Sequence, residues 1–349
     1  MDAHITNPKE KQDMKGLRAL SFVLLILGMA RPAAAWGRLN DSEEPGSVLV
    51  FHKFGKGFAF PFAKTEIAIS VTCPTDTTCN AMGQTVHLRA HWVCPGKPIC
   101  NEIDFNLKTT VNGTIVFDPE NFGLTNTDTV PKPPCDRGYL IVWVVDASGR
   151  PIGFNGLIGH AVLHDGNGFV GGFADVNFYR AYNALPIQAS VASGHTIPSP
   201  LVFDGTAYQA ITGTIYGTVR FPSTLPTHQR TFLTLLTLDV RSNRPNNPTF
   251  VDLNFYNESE ILTSTSTHFV CWEEFNLTDL NPILSSDFFG HRGLVRSTKA
   301  EKVQAPGVSD RTGPVTLVGI VETLDDSLAN SAAYLLYNDS KPVATTFTP

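Results

Sequence analysis

Two pairs of histidines have a spacing that metal ligands often show. His87 and His91 in "HLRAH", and His160 and His164 in "HAVLH", lie four residues apart. On a helix this spacing brings two rings to one ion, whereas on a strand it separates them by about 13 Å. Because β-branched and aromatic residues surround both pairs, strands are predicted here. We therefore expect no metal site.

The other residue types that perform catalysis show no catalytic arrangement. Glu273 and Glu274 are adjacent, and adjacent side chains on a strand face opposite sides of the sheet. The motifs G-x-S-x-G, H-E-x-x-H and the phosphate-binding loop are absent, and "GNGFVGG" (166 to 172) is predicted to be a turn rather than a nucleotide-binding loop. We therefore expect no catalytic residue and no cofactor. An active site built from distant loops stays open, so the sequence favours a protein that is not an enzyme.

An aromatic segment is the clearest candidate for binding. The stretch "GKGFAFPFAK" (55 to 64) places Phe58, Phe60 and Phe62 on one side of an extended chain. Such a face either packs into the core or forms a contact surface for a glycan or a protein partner. Both interpretations stay open.

The N-terminus has the order of segments found in secretory signals. A basic stretch (9 to 18) precedes the apolar run "ALSFVLLILGMA" (19 to 30), and small residues follow at Ala33 and Ala35. The run is about 12 residues long, whereas a membrane span needs roughly 20. We predict a signal peptide over residues 1–35 and a secreted or periplasmic mature chain that has no membrane span. Either Met1 or Met14 is the initiator.

Export makes disulfides the expected state of the six cysteines. Two C-x5-C loops predict local bridges, Cys73 with Cys79 and Cys94 with Cys100. The remaining two either pair with each other or stay as buried thiols, because the sequence does not choose among the 15 connectivities that six cysteines allow. Structural zinc is not expected, since no C-x2-C knuckle is present. The disulfide candidates are Cys73, Cys79, Cys94, Cys100, Cys135 and Cys271.

Composition predicts a β-rich protein with two domains. The 349 residues exceed the usual size of a single core, so two domains of roughly 150 residues are expected. Only 17% of residues are charged, and Phe (23) far exceeds Met (4), which favours strands over long surface helices. The net charge of −6 provides no basic field, and nucleic acid is therefore not an expected partner.

Runs of β-branched and aromatic residues alternate with turn formers along the mature chain. No comparable amphipathic helical pattern intervenes, so an all-β fold is predicted. The predicted strands are 47–54, 66–73, 85–94, 100–107, 113–118, 138–146, 156–163, 214–221, 231–240, 249–257, 271–278, 313–322 and 331–339.

The order of these strands suggests an internal repeat. "CNEIDFNL" begins at Cys100 and "CWEEFNLT" begins at Cys271, and Val86 matches Val251 at a similar offset. The alternative is that any two β-rich stretches align by chance. We predict two tandem immunoglobulin-like β-sandwich domains over 36–192 and 193–349, with "QASVASGHTIPSP" (188 to 200) as the joint. A jelly roll is the alternative architecture.

Several longer stretches resemble a group of exported bacterial proteins to which no function is assigned. They are "GYLIVWVVDASGRPIGFNGLIGHAVL", "YNALPIQA", "RTFLTLLTLDVRSNRPNNP" and "HFVCWEEFNL". The resemblance covers nearly the whole mature chain and implies export from a bacterium, but it implies no ligand and no catalytic residue.

We therefore expect a non-catalytic exported protein with a binding or structural role at the cell envelope, whose partner is an unidentified glycan or protein. Two alternatives stay open. One is a hydrolase of envelope polysaccharide or peptide, which needs two carboxylates about 5–10 Å apart in a cleft. The other is a subunit of a surface fibre, for which an exposed edge strand would be the sign.

Overall fold

A computed structural model describes most of the chain beyond the predicted leader. The described residues are 44–56, 64–79, 85–95, 100–120, 130–170, 173–220, 229–240, 248–302, 313–325 and 330–348. Strands dominate them and confirm the all-β prediction. Two one-turn helices also occur, α1 (Leu277–Leu280) and α2 (Ser286–Phe289).

The first half of the described chain, residues 44–187, forms two antiparallel sheets. One has the strand order β4-β3-β6-β1-β9 and the other β5-β2-β7-β8. Their strands are β1 (Val48–Gly55), β2 (Lys64–Val71), β3 (Thr85–Cys94), β4 (Asn101–Thr110), β5 (Thr114–Phe117), β6 (Arg137–Val145), β7 (Leu157–Val170), β8 (Phe173–Asn183) and β9 (Leu185–Ile187).

The second half, residues 201–348, forms two larger sheets and one small one. Their strand orders are β14-β13-β16-β11-β20, β15-β12-β18-β19 and β10-β21, with β17 beside β16. Their strands are β10 (Leu201–Phe203), β11 (Ile211–Arg220), β12 (Gln229–Leu236), β13 (Thr249–Tyr256), β14 (Leu262–Phe269), β15 (Trp272–Asn276), β16 (Arg292–Lys302), β17 (Gly313–Pro314), β18 (Val318–Asp325), β19 (Asn330–Leu335), β20 (Tyr337–Val343) and β21 (Thr345–Phe347).

Six strands of each half have matching neighbours. The neighbours β4-β3-β6 and β5-β2-β7 correspond to β15-β12-β18 and β16-β11-β20, and the matched strands follow the same order along the chain. Cys100 immediately precedes β4, and Cys271 immediately precedes β15. The match of Val86 with Val251 is wrong, because Val86 lies on β3 whereas Val251 lies on β13, which belongs to an additional β13–β14 hairpin.

Side-chain patterns explain where these strands lie. β13 alternates buried and more exposed residues, as expected when one face packs on a core and the other meets water. In contrast, every residue of β1 is buried. Gly159 of β7 permits the close approach of the opposite sheet, since a Cβ there would come within 2.6 Å of the Phe51 ring.

Three clusters of buried apolar residues result. The first core consists of residues of the first half together with Ile320 of β18, and the second core lies within the second half. The third cluster, which we call the shared core, combines both halves. Its large members include Tyr139, Trp143, Tyr208, Trp272 and Phe347. The halves are therefore joined by a continuous apolar contact.

The segment 188–200 between the halves is part of this packing. Ala189 and Ile197 belong to the shared core, and the Ile197 amide donates a hydrogen bond of 2.8 Å to the Pro151 carbonyl. The expected joint is therefore packed against the first half rather than a free linker. The domain boundary between residues 192 and 193 stays a prediction, and the signal peptide over 1–35 lies outside the described residues.

The disulfides agree with the predicted pairing in one case of two. Cys73 pairs with Cys79, as expected, but Cys94 pairs with Cys135 and Cys100 with Cys271. The predicted bridge between Cys94 and Cys100 is wrong because the two side chains face opposite ways. Cys94 lies in the first core, whereas Cys100 lies in the shared core and meets the second half.

Candidate functional site

A cluster of five charged side chains lies where the two halves meet. Lys53 of β1, Arg137 of β6 and Arg180 of β8 belong to the first half. Glu274 of β15 and Glu322 of β18 belong to the second. All three cations therefore come from one half and both carboxylates from the other. We call this set the charge cluster.

Lys53 is the centre of the charge cluster. Its Nζ lies 2.6 Å from Glu322 Oε2 and also contacts Glu274 Oε2. Arg180 Nε donates a hydrogen bond of 2.6 Å to Glu322 Oε1, and Arg137 Nη1 donates one of 2.8 Å to Glu274 Oε1. Each carboxylate thus meets two cations. Such charge-assisted contacts are the stronger kind of hydrogen bond.

A β-bulge in β1 presents Lys53 to the second half. The strand pairs Phe51 with Leu140 and Phe54 with Gly138, so β1 has one residue more than β6 between these pairs. Bulges of this kind re-aim side chains and interrupt the ladder. His52 and Lys53 therefore need other partners for their backbone groups.

Two aromatic side chains supply those partners. The Tyr182 hydroxyl accepts a hydrogen bond of 3.0 Å from the Lys53 amide and donates one to the Lys53 carbonyl. Trp272 Nε1, from the second half, donates a bond of 2.8 Å to the His52 carbonyl. Because buried backbone groups are costly when unpaired, these contacts fix the bulge and with it the position of the lysine.

The ion pairs of the charge cluster keep Lys53 and Glu322 ionised in spite of their burial. Burial alone would lower the pKa of Lys53, but the two glutamates outweigh this effect and raise the pKa. Burial would likewise raise the pKa of Glu322, but Lys53 and Arg180 outweigh it and lower that pKa. Both groups are therefore ionised at neutral pH. The ammonium cannot act as a nucleophile, and the carboxylate is a poor base.

Neighbouring His52 is neutral for a different reason. Its ring is fully buried and lies edge-on to the Tyr182 ring at 6.0 Å between centroids. Its Nδ1 has no hydrogen-bond partner within the described structure. Burial lowers the pKa of His52 to about 3, because a charged imidazole would lose its hydration without gaining a counter-ion.

Access to the charge cluster is small. The side chains of Lys53, Arg180, Glu274 and Glu322 are at most 5% exposed, and Arg137 at the margin is 34% exposed. A substrate would have to displace a paired group to reach any of the four. The arrangement therefore suits a connection between the halves rather than acid–base chemistry.

The residues predicted from sequence have varied outcomes. His87 and His91 lie on β3 and His160 and His164 on β7, which confirms both strands. In the part of the chain that the structure describes, no three His, Cys, Asp or Glu residues could hold a metal ion. The aromatic surface at Phe58, Phe60 and Phe62 lies outside that part.

His91 has a packing role. Its ring lies 4.9 Å from the Trp143 ring and 5.6 Å from the Phe347 ring, between centroids. Phe347 belongs to the second half, so His91 contributes to the contact between halves. Its Nδ1 lies 3.5 Å from Glu102 Oε2. His91 and His87 therefore do not form a pair of ligands for one ion.

Sequence reasoning missed the charge cluster, although a signal was present. Lys53 stands within the apolar strand "SVLVFHKF", and Glu322 stands within "TLVGIVETL". A charge within a strand that is buried on both faces requires an opposite charge. The pattern could therefore have predicted that Lys53 and Glu322 each need a counter-charge, although not which residue supplies it. The sequence did correctly predict that Glu273 and Glu274 face opposite sides of their strand, since Glu273 is exposed whereas the Glu274 side chain lies in the charge cluster.

Comparisons with known proteins add little to this geometry. No family model and no curated protein matches the chain. A search of solved structures returns the crystal structure of the infectious bursal disease virus VP2 subviral particle, with 8% sequence identity and a TM-score of 0.15. That match covers 87% of this chain and 75% of the viral one. A TM-score this low supports no conclusion about fold or function.

The helices are too short to cross a membrane. In the described portion of the chain, none reaches the length and apolar character that a membrane-spanning helix requires.

Proposed function

We propose that the chain is a non-catalytic exported bacterial protein with a binding or structural role at the cell envelope. In this proposal it consists of two related immunoglobulin-like β-sandwiches that are held as one rigid body. The observation that carries the proposal is the charge cluster. Its carboxylates are each paired with two cations of the other half, and four of its five side chains are buried between the halves.

The matching strand order of the halves supports two related sandwiches. Six strands correspond, and the equivalent positions before β4 and β15 are occupied by the cysteines of one disulfide. The three disulfides, together with the leader pattern, favour an oxidising compartment outside the cytoplasm. A rigid pair of sandwiches is suited to presenting a fixed binding surface.

The hydrolase alternative receives less support from the charge cluster. Glu274 and Glu322 do lie close together, since both contact the Lys53 ammonium. However, a glycosidase needs one protonated and one ionised carboxyl group beside an open cleft. Lys53 and Arg180 hold the pKa of Glu322 below its ordinary value, and both carboxyl groups are buried.

Fractionation and activity assays test the proposal together. Mass spectrometry of the protein from its native cells should find a mature chain beginning at Trp36 in the periplasm, envelope or medium. Assays of that chain on envelope polysaccharides and peptides should show no turnover. A cytoplasmic full-length chain would contradict export, and a turnover lost in Glu274→Gln or Glu322→Gln variants that remain folded would make the protein an enzyme.

A fibre subunit is a second candidate because of one edge strand. The eight residues of β14 pair with β13 on one side, and no second ladder partner occurs among the described strands. Exposed edges of this kind accept a strand from another chain. Sedimentation of the mature protein over a range of concentrations tests this candidate, which predicts open-ended assembly. A monomer at every concentration would contradict it.

A further inference from the structure

Two adjoining cavities lie beside the paired strands β3 and β6 of the first half. They measure about 500 and 400 Å³ and share Arg150 and Thr196 in their linings. We call them together the Arg150 groove. Its size is within the range of small-ligand sites in proteins.

The Arg150 groove combines an apolar floor with a polar rim. The floor consists of side chains that also belong to the buried cores, among them Val86, Ile152, Phe154 and Trp143. The rim is formed by polar groups on β3, on the 146–151 turn and on the 194–201 segment. These polar groups include Arg89, Asp146, Arg150 and Thr196.

The arginines of the Arg150 groove are already neutralised. Arg150 Nε donates a hydrogen bond of 2.8 Å to Asp146 Oδ2, and its Nη2 lies 2.8 Å from the same oxygen. Arg89 Nη2 is paired with Asp104 Oδ2. An anionic ligand would therefore have to compete with a resident carboxylate for each guanidinium, which makes the groove a poor anion site.

The rim is fixed before any ligand arrives. Asp146 Oδ1 accepts hydrogen bonds from the Ser148 and Arg150 amides, at 2.8 and 3.0 Å. Ser193, which precedes the lining residue Gly194, donates an amide hydrogen bond of 2.9 Å to Asp76, and the Cys73–Cys79 disulfide closes the loop that contains Asp76. A preorganised rim reduces the ordering cost of binding.

We infer that the Arg150 groove binds an uncharged glycan, an inference that rests on the proposed binding role. Sugar rings have apolar C–H faces and many hydroxyl groups that both donate and accept hydrogen bonds. The apolar floor can contact the C–H faces of a sugar. The paired arginine and aspartate side chains and the hydroxyl groups of the rim can donate hydrogen bonds to the sugar hydroxyls and accept bonds from them, without presenting a net charge. A lipid chain would leave this polar rim unpaired, at a cost in free energy.

A matched pair of tryptophan substitutions tests the site on the intact mature protein. Thr196→Trp places an indole in the lining that both cavities share. Thr218→Trp places one at an exposed position of β11 in the second half and serves as the control. An array of neutral and acidic glycans first identifies the best ligand, and titration calorimetry then measures its affinity. Thermal unfolding of both variants checks that they remain folded.

We expect a neutral glycan to bind the native protein and the Thr218→Trp variant equally. Binding should be lost in Thr196→Trp and should weaken roughly tenfold or more in Arg150→Gln, which removes a charged donor. Equal binding by both tryptophan variants would place the glycan site elsewhere and overturn this inference while the proposed binding role stands. Preference for acidic glycans, or no glycan bound at all, would also overturn it. Fractionation tests export independently of these outcomes.

Discussion

The two halves meet through two regions of opposite chemistry. In the shared core, aromatic and aliphatic side chains pack together, and the Cys100–Cys271 disulfide crosses from one half to the other. In the charge cluster, three cations of the first half meet two carboxylates of the second. The shared core stabilises the contact between the halves in proportion to the apolar area that it buries, and this contribution does not depend on the direction of individual contacts. The charge cluster is satisfied only in one alignment of the halves.

This difference separates how strongly the halves associate from how they are aligned. An apolar surface tolerates small shifts at modest cost, whereas a buried ammonium that moves away from its carboxylates is left unpaired. Buried ion pairs often contribute little net stability because desolvation offsets their attraction. We therefore expect the charge cluster to be sensitive to single changes and tolerant of combined apolar replacement.

The largest effect is expected from removing one charge of the cluster. Glu322→Gln keeps the size of the side chain but leaves Lys53 and Arg180 without one of their counter-charges. The free energy of unfolding should fall by about 3–5 kcal/mol, as for other broken buried pairs. Urea unfolding followed by fluorescence measures it.

An exposed ion pair and a combined replacement are the controls for that result. Asp104→Asn breaks the pair with Arg89 at the surface and should cost at most about 1 kcal/mol. The triple variant Lys53→Met, Arg180→Met, Glu322→Leu should recover most of the loss, because it removes three of the buried charges together and Glu274 keeps its hydrogen bond to Arg137. A triple variant less stable than Glu322→Gln would show that the cluster contributes net stability.

Acid should weaken the joint first through His52. Burial lowers the pKa of His52 from 6.5 to about 3, so below pH 6.5 the unfolded chain binds a proton that the folded protein does not. The free energy of unfolding therefore falls as the pH drops, by about 3 kcal/mol near pH 4. Glu322, whose pKa is also lowered on folding, adds a further loss below its ordinary value of 4.5.

Substitution separates these two contributions. His52→Leu should abolish the loss between pH 6.5 and 4.5 and should reduce the loss between pH 4.5 and 3 to the part that comes from Glu322. The exposed His160 of β7 is the matched control, and His160→Leu should leave both parts unchanged. Unfolding by urea at a series of pH values measures them. An unchanged profile in His52→Leu would show that another group causes the acid sensitivity.

The disulfides provide a comparison within one type of bond. Cys100 and Cys271 are 171 residues apart and join the halves, whereas Cys73 and Cys79 are six apart within one loop. In the chain-entropy account, the longer closure stabilises by about 3 kcal/mol more. Replacing each pair by alanine and comparing urea unfolding tests this. Equal losses would indicate that native packing, rather than chain entropy, decides the effect.

Sequence patterns predicted the strands well where at least one face is apolar and poorly where polar residues dominate both faces. Each of the thirteen predicted strands overlaps an observed one. The missed strands include β14, "LTSTSTHF", and β16, "RGLVRSTKAEK", in which polar residues dominate and buried apolar side chains are few. Hydrophobic periodicity cannot detect such strands, because their pairing is set by neighbours such as β13 that are distant in sequence.

The joint between the halves was harder to predict than the halves themselves. Local patterns indicate that Cys94 and Cys100 are close, which is correct, but not that they face different cores. The charge cluster likewise depends on contacts of more than 100 residues in sequence separation, such as Lys53 with Glu322. A charged residue in a fully buried strand shows that a partner must exist. It does not identify the partner.

The smallest effect is expected from the backbone of the bulge, which links the two regions. The Tyr182 hydroxyl bonds to both the amide and the carbonyl of Lys53, and burial keeps the pKa of this tyrosine above its ordinary value. Tyr182→Phe removes both bonds and leaves two buried backbone groups unpaired, which should cost about 1–3 kcal/mol. Tyr179→Phe, at an exposed position on the same strand, is the matched control and should cost less than half as much. Because the bulge positions Lys53, the two substitutions should be coupled. The double variant Tyr182→Phe, Glu322→Gln should lose less free energy of unfolding than the sum of the two single losses. Full additivity, measured by urea unfolding of all three variants, would show that the bulge and the charge cluster are independent.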